Sequence, residues 1–188
     1  MSYFVDDYLR ETRRILKRLN HVAIEAVACI LDDVRASGNR LFVIGNGGSA
    51  ATASHAVNDF RKLAKIEAYA PTDNVAELTA RTNDDGWAST FARWLDVSKI
   101  GQDDALLVLS VGGGSTEASP NIVQAVSLAN DVGAYVLGIV GRDGGFVRKN
   151  ADACLVIPPL YEDRITPHVE GITSVILHLL VSHPLLRQ

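Results

Sequence analysis

The sequence predicts an α/β protein with a three-layer, doubly wound parallel sheet of the flavodoxin type. Short aliphatic runs alternate with helical apolar patterns from residue 40 onward, and this alternation indicates parallel strands joined by right-handed crossovers. Two loops rich in glycine and serine follow two of the strands. Since ligands of such sheets bind beyond the carboxyl ends of the strands, these loops mark the expected functional edge.

Composition narrows the class of protein. The 188 residues are 47% hydrophobic and 21% charged, which suits one domain over 1–188 with a large core. The net charge is −4, with 18 basic and 22 acidic residues well mixed, so no basic face for nucleic acid is indicated. Apolar runs such as 106–109 and 176–181 are far shorter than the roughly 20 residues of a membrane span. Because the N-terminus lacks a signal-peptide pattern, we expect a cytoplasmic protein without membrane association.

The N-terminal region carries one long helical pattern, from residue 3 to about 36, which ends at Ser37-Gly38-Asn39. Its apolar residues recur at steps of three and four. Residues 3–19 have only a thin apolar stripe, and such a helix gains stability by packing on something else. We therefore expect 1–37 to pack on another subunit and 38–188 to form the α/β core.

The remaining elements follow in order along the chain. Strands are predicted at 41–44, 75–78, 105–109, 135–140 and 153–157, and helices from after residue 49 to about 64, at 88–97, from about 120 to 132 and at 166–183. The two cysteines have no CxxC spacing. Cys29 lies in a helical apolar pattern and Cys154 in a strand pattern, so both are predicted to be core residues.

The two loops have a composition suited to phosphate. The first, Gly45-Asn46-Gly47-Gly48-Ser49, leads directly into a helix, where glycines bring amides close to a ligand and free N–H groups favour an anion. The second, 110–119, combines three glycines with hydroxyl side chains. Neither loop has a dinucleotide or P-loop pattern. The alternative is that the glycines of these loops only make tight turns between strand and helix. The presence of two such loops at one edge of the sheet favours ligand binding over this alternative.

Five motifs occur in sequence order: GNGGS with His55 six residues later, Asn83-Asp84, the 110–119 loop, GRDGG at 141–145 and DRI at 163–165. Together they resemble the phosphoheptose isomerase branch of the sugar-isomerase (SIS) family over nearly the whole chain. The resemblance implies conversion of sedoheptulose 7-phosphate to a heptose 7-phosphate through an enediol. It also implies a homotetramer with a zinc site between subunits.

Four metal ligands are implied by the resemblance: His55 and Asp59 on the helix after GNGGS, and Glu170 and His178 on the last helix. Each pair shares a helix face, and the donor set suits zinc. The resemblance makes Asp59 the base, where the family has Glu, and His178 the acid. Because Asp59 is shorter than Glu, either its helix lies closer, or Asp59 only binds metal, or it transfers the proton less well. Glu170, where the family has Gln, either tightens metal binding or is a further candidate base. His168, expected on a loop, is another candidate acid.

The implied substrate-binding residues complete the prediction; they are Asn46, Gly47, Gly48, Ser49, Asn83, Asp84, Ser110, Gly112, Ser115, Thr116, Ser119, Asp163 and Glu170. The family pattern STSGNS is replaced by SVGGGS at 110–115, with about four extra residues before Asn121. Two hydroxyls are lost, and Ser115, Thr116 and Ser119 are the candidates to replace them. The altered loop leaves open a different sugar phosphate or a modified or nucleotide-linked heptose.

Two functional hypotheses follow from these residues. The first is an aldose–ketose isomerase for a heptose-like phosphate that feeds envelope or capsule synthesis. The second is a non-catalytic SIS protein that binds a sugar phosphate or a protein partner in a regulatory role. The histidines at 55 and 178 with acidic partners favour the enzyme. The altered serine loop and the shorter Asp59 favour the binding protein; we prefer the enzyme.

Overall fold

The computed structural model describes residues 3–187, and its centre is a parallel sheet of five strands. The strands are β1 (Arg40–Gly45), β2 (Glu67–Tyr69), β3 (Ala105–Ser110), β4 (Tyr135–Val140) and β5 (Ala153–Val156). They lie in the order β2-β1-β3-β4-β5, and every neighbouring pair is parallel. This order is the flavodoxin-type doubly wound topology, so the predicted fold class is confirmed.

Eight α-helices surround the sheet in the described part of the chain. They are α1 (Phe4–Leu16), α2 (His21–Ala36), α3 (Gly48–Leu63), α4 (Val75–Asp84), α5 (Thr90–Val97), α6 (Pro120–Asp131), α7 (Gly145–Asn150) and α8 (Ile165–Ser182). Single turns of 3-10 helix lie at Pro71–Asp73, Trp87–Ser89 and Glu162–Arg164.

The predicted single helix over residues 3–36 is wrong, because the chain breaks between α1 and α2. Asn20 has an extended backbone, and its side-chain oxygen accepts a hydrogen bond from the Ala23 amide at 3.3 Å. A short polar side chain in this position caps a new helix instead of continuing the previous one. The apolar pattern runs through the break because both helices face the same core.

The predicted strand over 75–78 is also wrong, since this run opens α4. The Asn74 side chain accepts a hydrogen bond from the Glu77 amide at 3.2 Å, which satisfies a free donor of the first turn. The edge strand of the sheet is instead the three-residue β2. Short apolar runs do not distinguish strand from helix by pattern alone, and here the cap decides.

The two faces of the sheet carry separate cores. Leu41 and Val43 of β1 point to the core formed with α1, α2, α3 and α8. Phe42 and Ile44 point to the opposite core, formed with α5, α6 and α7. This alternation along a buried strand is what a sheet covered on both sides requires. The three-layer arrangement places the carboxyl ends of β1, β3 and β4 together.

The two cysteines have different environments. Cys29 is exposed, because it lies on the outer face of α2, so its predicted place in the core is wrong. Cys154 is half-buried, and burial raises the pKa of its thiol to about 11.

The segment 162–182 is by length and composition apolar enough to cross a membrane. In this fold, α8 packs on α2 and α3 as a core helix does.

Candidate functional site

A reciprocal pair of amides joins the two predicted ligand loops. The Asn46 amide donates to Asn121 Oδ1 at 3.2 Å, and the Asn121 amide donates to Asn46 Oδ1 at 2.9 Å. Asn46 follows β1, and Asn121, which is fully buried, lies in the first turn of α6 beyond β3. After β1 the chain crosses toward the β2 edge of the sheet, and after β3 it crosses toward the β5 edge, so this pair marks the switch point where such folds bind ligands. Sequence reasoning missed Asn121, which has no motif of its own.

The loop between β3 and α6 borders a cavity of about 490 Å³. Its lining is Val111, Gly112, Gly114, Ser115, Ala118, Ser119, Arg142 and Thr166. The cation of Arg142 and three hydroxyl side chains are the groups that bind a phosphate by charge-assisted hydrogen bonds. The sequence prediction, which relied on amides and hydroxyls, did not single out Arg142 or Thr166.

Several predicted hydroxyls shape the loop. The buried Ser110 side chain accepts a hydrogen bond from the Gly113 amide at 3.0 Å, and Ser115 accepts one from Ala118 at 3.0 Å. Thr116 is exposed and donates to the Glu117 carboxylate at 2.6 Å, which lowers the pKa of that group. Ser115 therefore both turns the chain and faces the cavity, whereas Thr116 is not part of the lining.

Three other predicted residues lie away from the cavity. Asn83 and Asp84 are exposed at the end of α4, where the Asn83 amide donates to the Asp84 carboxylate at 2.8 Å. Asp163 is exposed in the 3-10 turn that precedes α8. Since this chain alone does not bring them to the cavity, their substrate-binding role stays a prediction.

Three of the four predicted metal ligands meet between α3 and α8. Asp59 Oδ2 lies 3.3 Å from His55 Nε2 and 3.4 Å from His178 Nδ1, and one ligand atom from each residue lies within 4.8 Å of the others. Ligands at about 2.0–2.2 Å from a tetrahedral zinc ion lie roughly 3.3–3.6 Å apart, which matches the two distances from Asp59. Two imidazoles and one carboxylate fit zinc and leave a fourth position free. All three residues come from one chain.

Glu170, the predicted fourth ligand, does not join this cluster. Its carboxylate lies against the first residue of α3: a Cβ at Gly48 would stand 2.6 Å from Glu170 Oε1 and 3.0 Å from Oε2. The free N–H groups at a helix start stabilise a carboxylate there. Glycine at 48 therefore allows the close approach, and Glu170 belongs with the loop edge.

A buried polar cluster ties α1 to the start of α8. Arg164 donates to both oxygens of Glu11, at 2.8 and 2.6 Å, and His168 Nε2 lies 2.9 Å from Glu11 Oε2. The hydrogen bonds from the guanidinium, then that from the imidazole, lower the pKa of Glu11 to about 2. His168 lies within α8, inside the predicted helix over 166–183, and is buried, so the expectation of a histidine on a loop is wrong. Its contacts make it part of the packing between the two helices.

Comparison with known proteins decides the family. The model of the SIS domain family matches residues 7–141. The phosphoheptose isomerase of Geobacter sulfurreducens is 32% identical over 180 residues, which cover 92% of this chain and 90% of that protein. The chain belongs to the SIS domain family, in its phosphoheptose isomerase branch. The resemblance on which the sequence prediction rested is therefore confirmed.

Other relatives within and near this branch agree in fold. The phosphoheptose isomerase structure from Francisella tularensis superposes with a TM-score of 0.81 at 25% identity, over 97% of both chains. That from Neisseria gonorrhoeae has the same fold, with a TM-score of 0.83 at 23% identity over 95% of this chain and 96% of that one. The lincomycin biosynthesis protein LmbN of Streptomyces lincolnensis is 33% identical over 96% of this chain, and the match spans 66% of its length.

Proposed function

We propose that this chain is a phosphosugar aldose–ketose isomerase that converts sedoheptulose 7-phosphate, or a closely similar ketose phosphate, to the corresponding aldose. Membership of a branch whose named relatives are phosphoheptose isomerases supports the reaction class. The observation that carries the proposal is the cavity of about 490 Å³ beyond the carboxyl ends of β3 and β4, whose lining includes Arg142 and hydroxyl groups. A small anionic sugar suits a pocket of this size and charge.

The phosphate group is assigned to the Arg142 side of the cavity. The guanidinium and the hydroxyls of Ser115, Ser119 and Thr166 supply charge and directional donors to phosphate oxygens. The loop that begins at Asn46 then faces the sugar hydroxyls, because the Asn46–Asn121 pair fixes it beside the same cavity. This assignment uses Arg142 where the altered serine loop has lost two hydroxyls.

Zinc is the metal that fits the cluster of His55, Asp59 and His178. When bound, it would polarise a carbonyl or hydroxyl oxygen as a Lewis acid. The resemblance offers His178 as an acid and Asp59 as the base that moves the proton between C1 and C2; Glu170, a carboxylate where the family has Gln, is a further candidate base. A base must lie within hydrogen-bond reach of that proton, so the position of the bound sugar decides between the two carboxylates.

We further propose a homotetramer in the cytoplasm. The exposed side of α1 carries Tyr3, Phe4, Val5 and Leu9, each more than half exposed. Val5 and Leu9 are four residues apart and share a helix face, and exposed apolar side chains clustered at one end of a helix are typical of a surface that another subunit covers. Native mass measurement tests this: a stable monomer at micromolar concentration would contradict it.

The function is tested by an isomerase assay with zinc analysis on the same preparation. Wild-type protein should convert sedoheptulose 7-phosphate and retain zinc, while His178→Ala should lose the metal because one of three ligands is gone. His21→Ala, an exposed histidine outside the cluster, is the matched control and should retain it. No product from zinc-loaded wild type with this or a shorter or longer ketose phosphate would refute the proposal. If the sugar phosphate raised the melting temperature without turnover, the regulatory alternative would be favoured.

A further inference from the structure

A second cavity, of about 500 Å³, lies between the end of α1 and the segment that leads from β5 into α8. Three basic side chains, one aliphatic side chain and one aromatic ring line it: Arg14, Lys17, Arg18, Leu160 and Tyr161. The cavity assigned above to the sugar phosphate has a different lining, with no residue in common. The two cavities are therefore separate, and the proposed reaction does not use this one.

The positive charge of the second cavity is not balanced by the protein. Within residues 3–187, none of its three basic side chains forms an ion pair, and no carboxylate lines the cavity. The nearby carboxylate of Glu11 is already held by Arg164 and His168. In a chain whose net charge is −4, three unpaired cations around one cavity produce a local field that attracts an anion.

Hydrogen bonds fix the position of two of the basic residues. The Arg14 guanidinium donates to the Tyr161 hydroxyl at 3.4 Å. The Arg18 amide donates to the Ile15 carbonyl at 2.9 Å, in the turn after α1. The helix dipole favours a cation at this end of α1, which accounts for one basic residue. It gives no reason for three of them to line one cavity, whereas an anionic ligand does.

The lining also limits the chemistry of the ligand. Arginine and lysine bind phosphate oxygens through charge-assisted hydrogen bonds, and a group of three cations suits the charge of a diphosphate. Leu160 and Tyr161 add apolar surface, and an aromatic ring is the group on which a nucleobase stacks. The volume of about 500 Å³ lies within the range of small-molecule sites, roughly 300–1,000 Å³.

We propose that this cavity is a binding site for a nucleoside diphosphate. The diphosphate lies against Arg14, Lys17 and Arg18, and the base lies against Tyr161. The proposal goes beyond the isomerase function and does not depend on it, because the two cavities share no residue.

Calorimetric titration of the full-length protein with ADP and, separately, with pyrophosphate tests the proposal. Both should bind, ADP more tightly because only ADP carries a base, and both should bind more weakly as sodium chloride is added. Arg18→Gln should weaken the binding of both about 10- to 100-fold, the loss expected for one charge-assisted contact. The Arg18 side chain makes no hydrogen bond to the rest of the described chain, so the variant should keep the melting temperature of wild type.

Two control variants locate the bound ligand. Arg13→Gln removes an exposed arginine of α1 that does not line the cavity, and it should bind both compounds as wild type does. Arg142→Gln changes the other cavity and should leave ADP binding unchanged.

Four results would overturn the proposal. The first is no binding of either compound to wild type at millimolar concentration, and the second is equal weakening by Arg13→Gln and Arg18→Gln. The third is ADP binding that Arg142→Gln abolishes and Arg18→Gln does not, which would place the ligand in the sugar-phosphate cavity. The fourth is a changed native mass of Arg18→Gln, which would make this face a contact between subunits. ADP that bound no more tightly than pyrophosphate would refute the nucleoside part of the assignment.

Discussion

The glycines of the serine loop provide a sharp test of how the site is built. The Gly113 carbonyl accepts a hydrogen bond from the Val147 amide at 2.9 Å, so the loop is docked on the first turn of α7. Gly113 has φ of +69°, and a Cβ there would overlap the carbonyl oxygen of Gly144 and stand 2.9 Å from the Gly145 amide nitrogen. The preceding Gly112 has ordinary φ, and a Cβ there would meet nothing within 4 Å.

These contacts set the expected cost of Gly113→Ala. The left-handed backbone costs an L-residue about 1–2 kcal/mol. The atoms that a Cβ overlaps belong to the backbone and cannot swing aside, so relief of the overlap costs roughly another 1–3 kcal/mol. The variant should lose about 2–5 kcal/mol from a total stability on the order of 5–15 kcal/mol. Gly112→Ala should change stability by about 1 kcal/mol or less, toward stabilisation, because only the unfolded chain loses freedom.

Urea unfolding followed by circular dichroism measures both free energies of unfolding. The slope with urea should be the same for both variants, since neither changes the surface exposed on unfolding. If the two variants had equal midpoints, or if Gly113→Ala cost less than about 1 kcal/mol, the tight docking of the serine loop on the GRDGG loop would be refuted. A different segment would then have to line the cavity beside Arg142.

Three further predictions concern single side chains. Asn121→Ala should lower the free energy of unfolding by about 2–3 kcal/mol, because it removes three hydrogen bonds worth about 1 kcal/mol each. The lower value allows for the donor of one of them, the Ile122 amide, which keeps a second acceptor. As the control in the same urea assay, the exposed Asn130→Ala removes one hydrogen bond and should cost about 1 kcal/mol or less. Since pairing lowers the pKa of Glu11 from 4.5 to about 2, its contribution to stability is complete above pH 4.5 and is lost as the pH falls toward 2. Glu11→Gln should flatten that part of the urea-midpoint profile against pH, and an unchanged profile would contradict the pairing. A chromogenic thiol reagent at pH 8 should label the exposed Cys29 rapidly and Cys154 only on unfolding, because burial raises the pKa of the Cys154 thiol to about 11. Rapid labelling of both thiols in the folded protein would contradict the burial of Cys154.

The central strands could be predicted from sequence because burial on both faces leaves a distinct pattern. β3 is buried at all six positions and consists almost entirely of aliphatic residues, and β4 is nearly the same. β2 could not be found in this way, since its three residues are exposed at both ends and carry a glutamate. Its place in the sheet depends on backbone pairing with β1, which leaves no periodicity in so short a segment.

Local geometry explains which part of the site was predictable. His55 and Asp59 are four apart, so any helix through them brings the pair together, and the structure does so at 3.3 Å. The third residue, His178, lies on α8. Its distance from Asp59 depends on how α8 is placed along α3, which no local spacing in the sequence encodes. The observed register puts His178 beside Asp59 and Glu170 beside Gly48.

That register also explains why Glu170 lies outside the cluster of His55, Asp59 and His178. The helices α3 and α8 run parallel, because the residue numbers of both increase from the Gly48–Glu170 contact to the Asp59–His178 contact. Eight residues separate Glu170 from His178, about 12 Å of helix, and the Glu170 carboxylate lies beside Gly48 at the start of α3. The metal cluster and the loop edge therefore lie at two different positions along α3 and α8. The substitution of Gln by Glu therefore puts a carboxylate at the start of α3, whereas the substitution of Glu by Asp at residue 59 falls within the metal cluster.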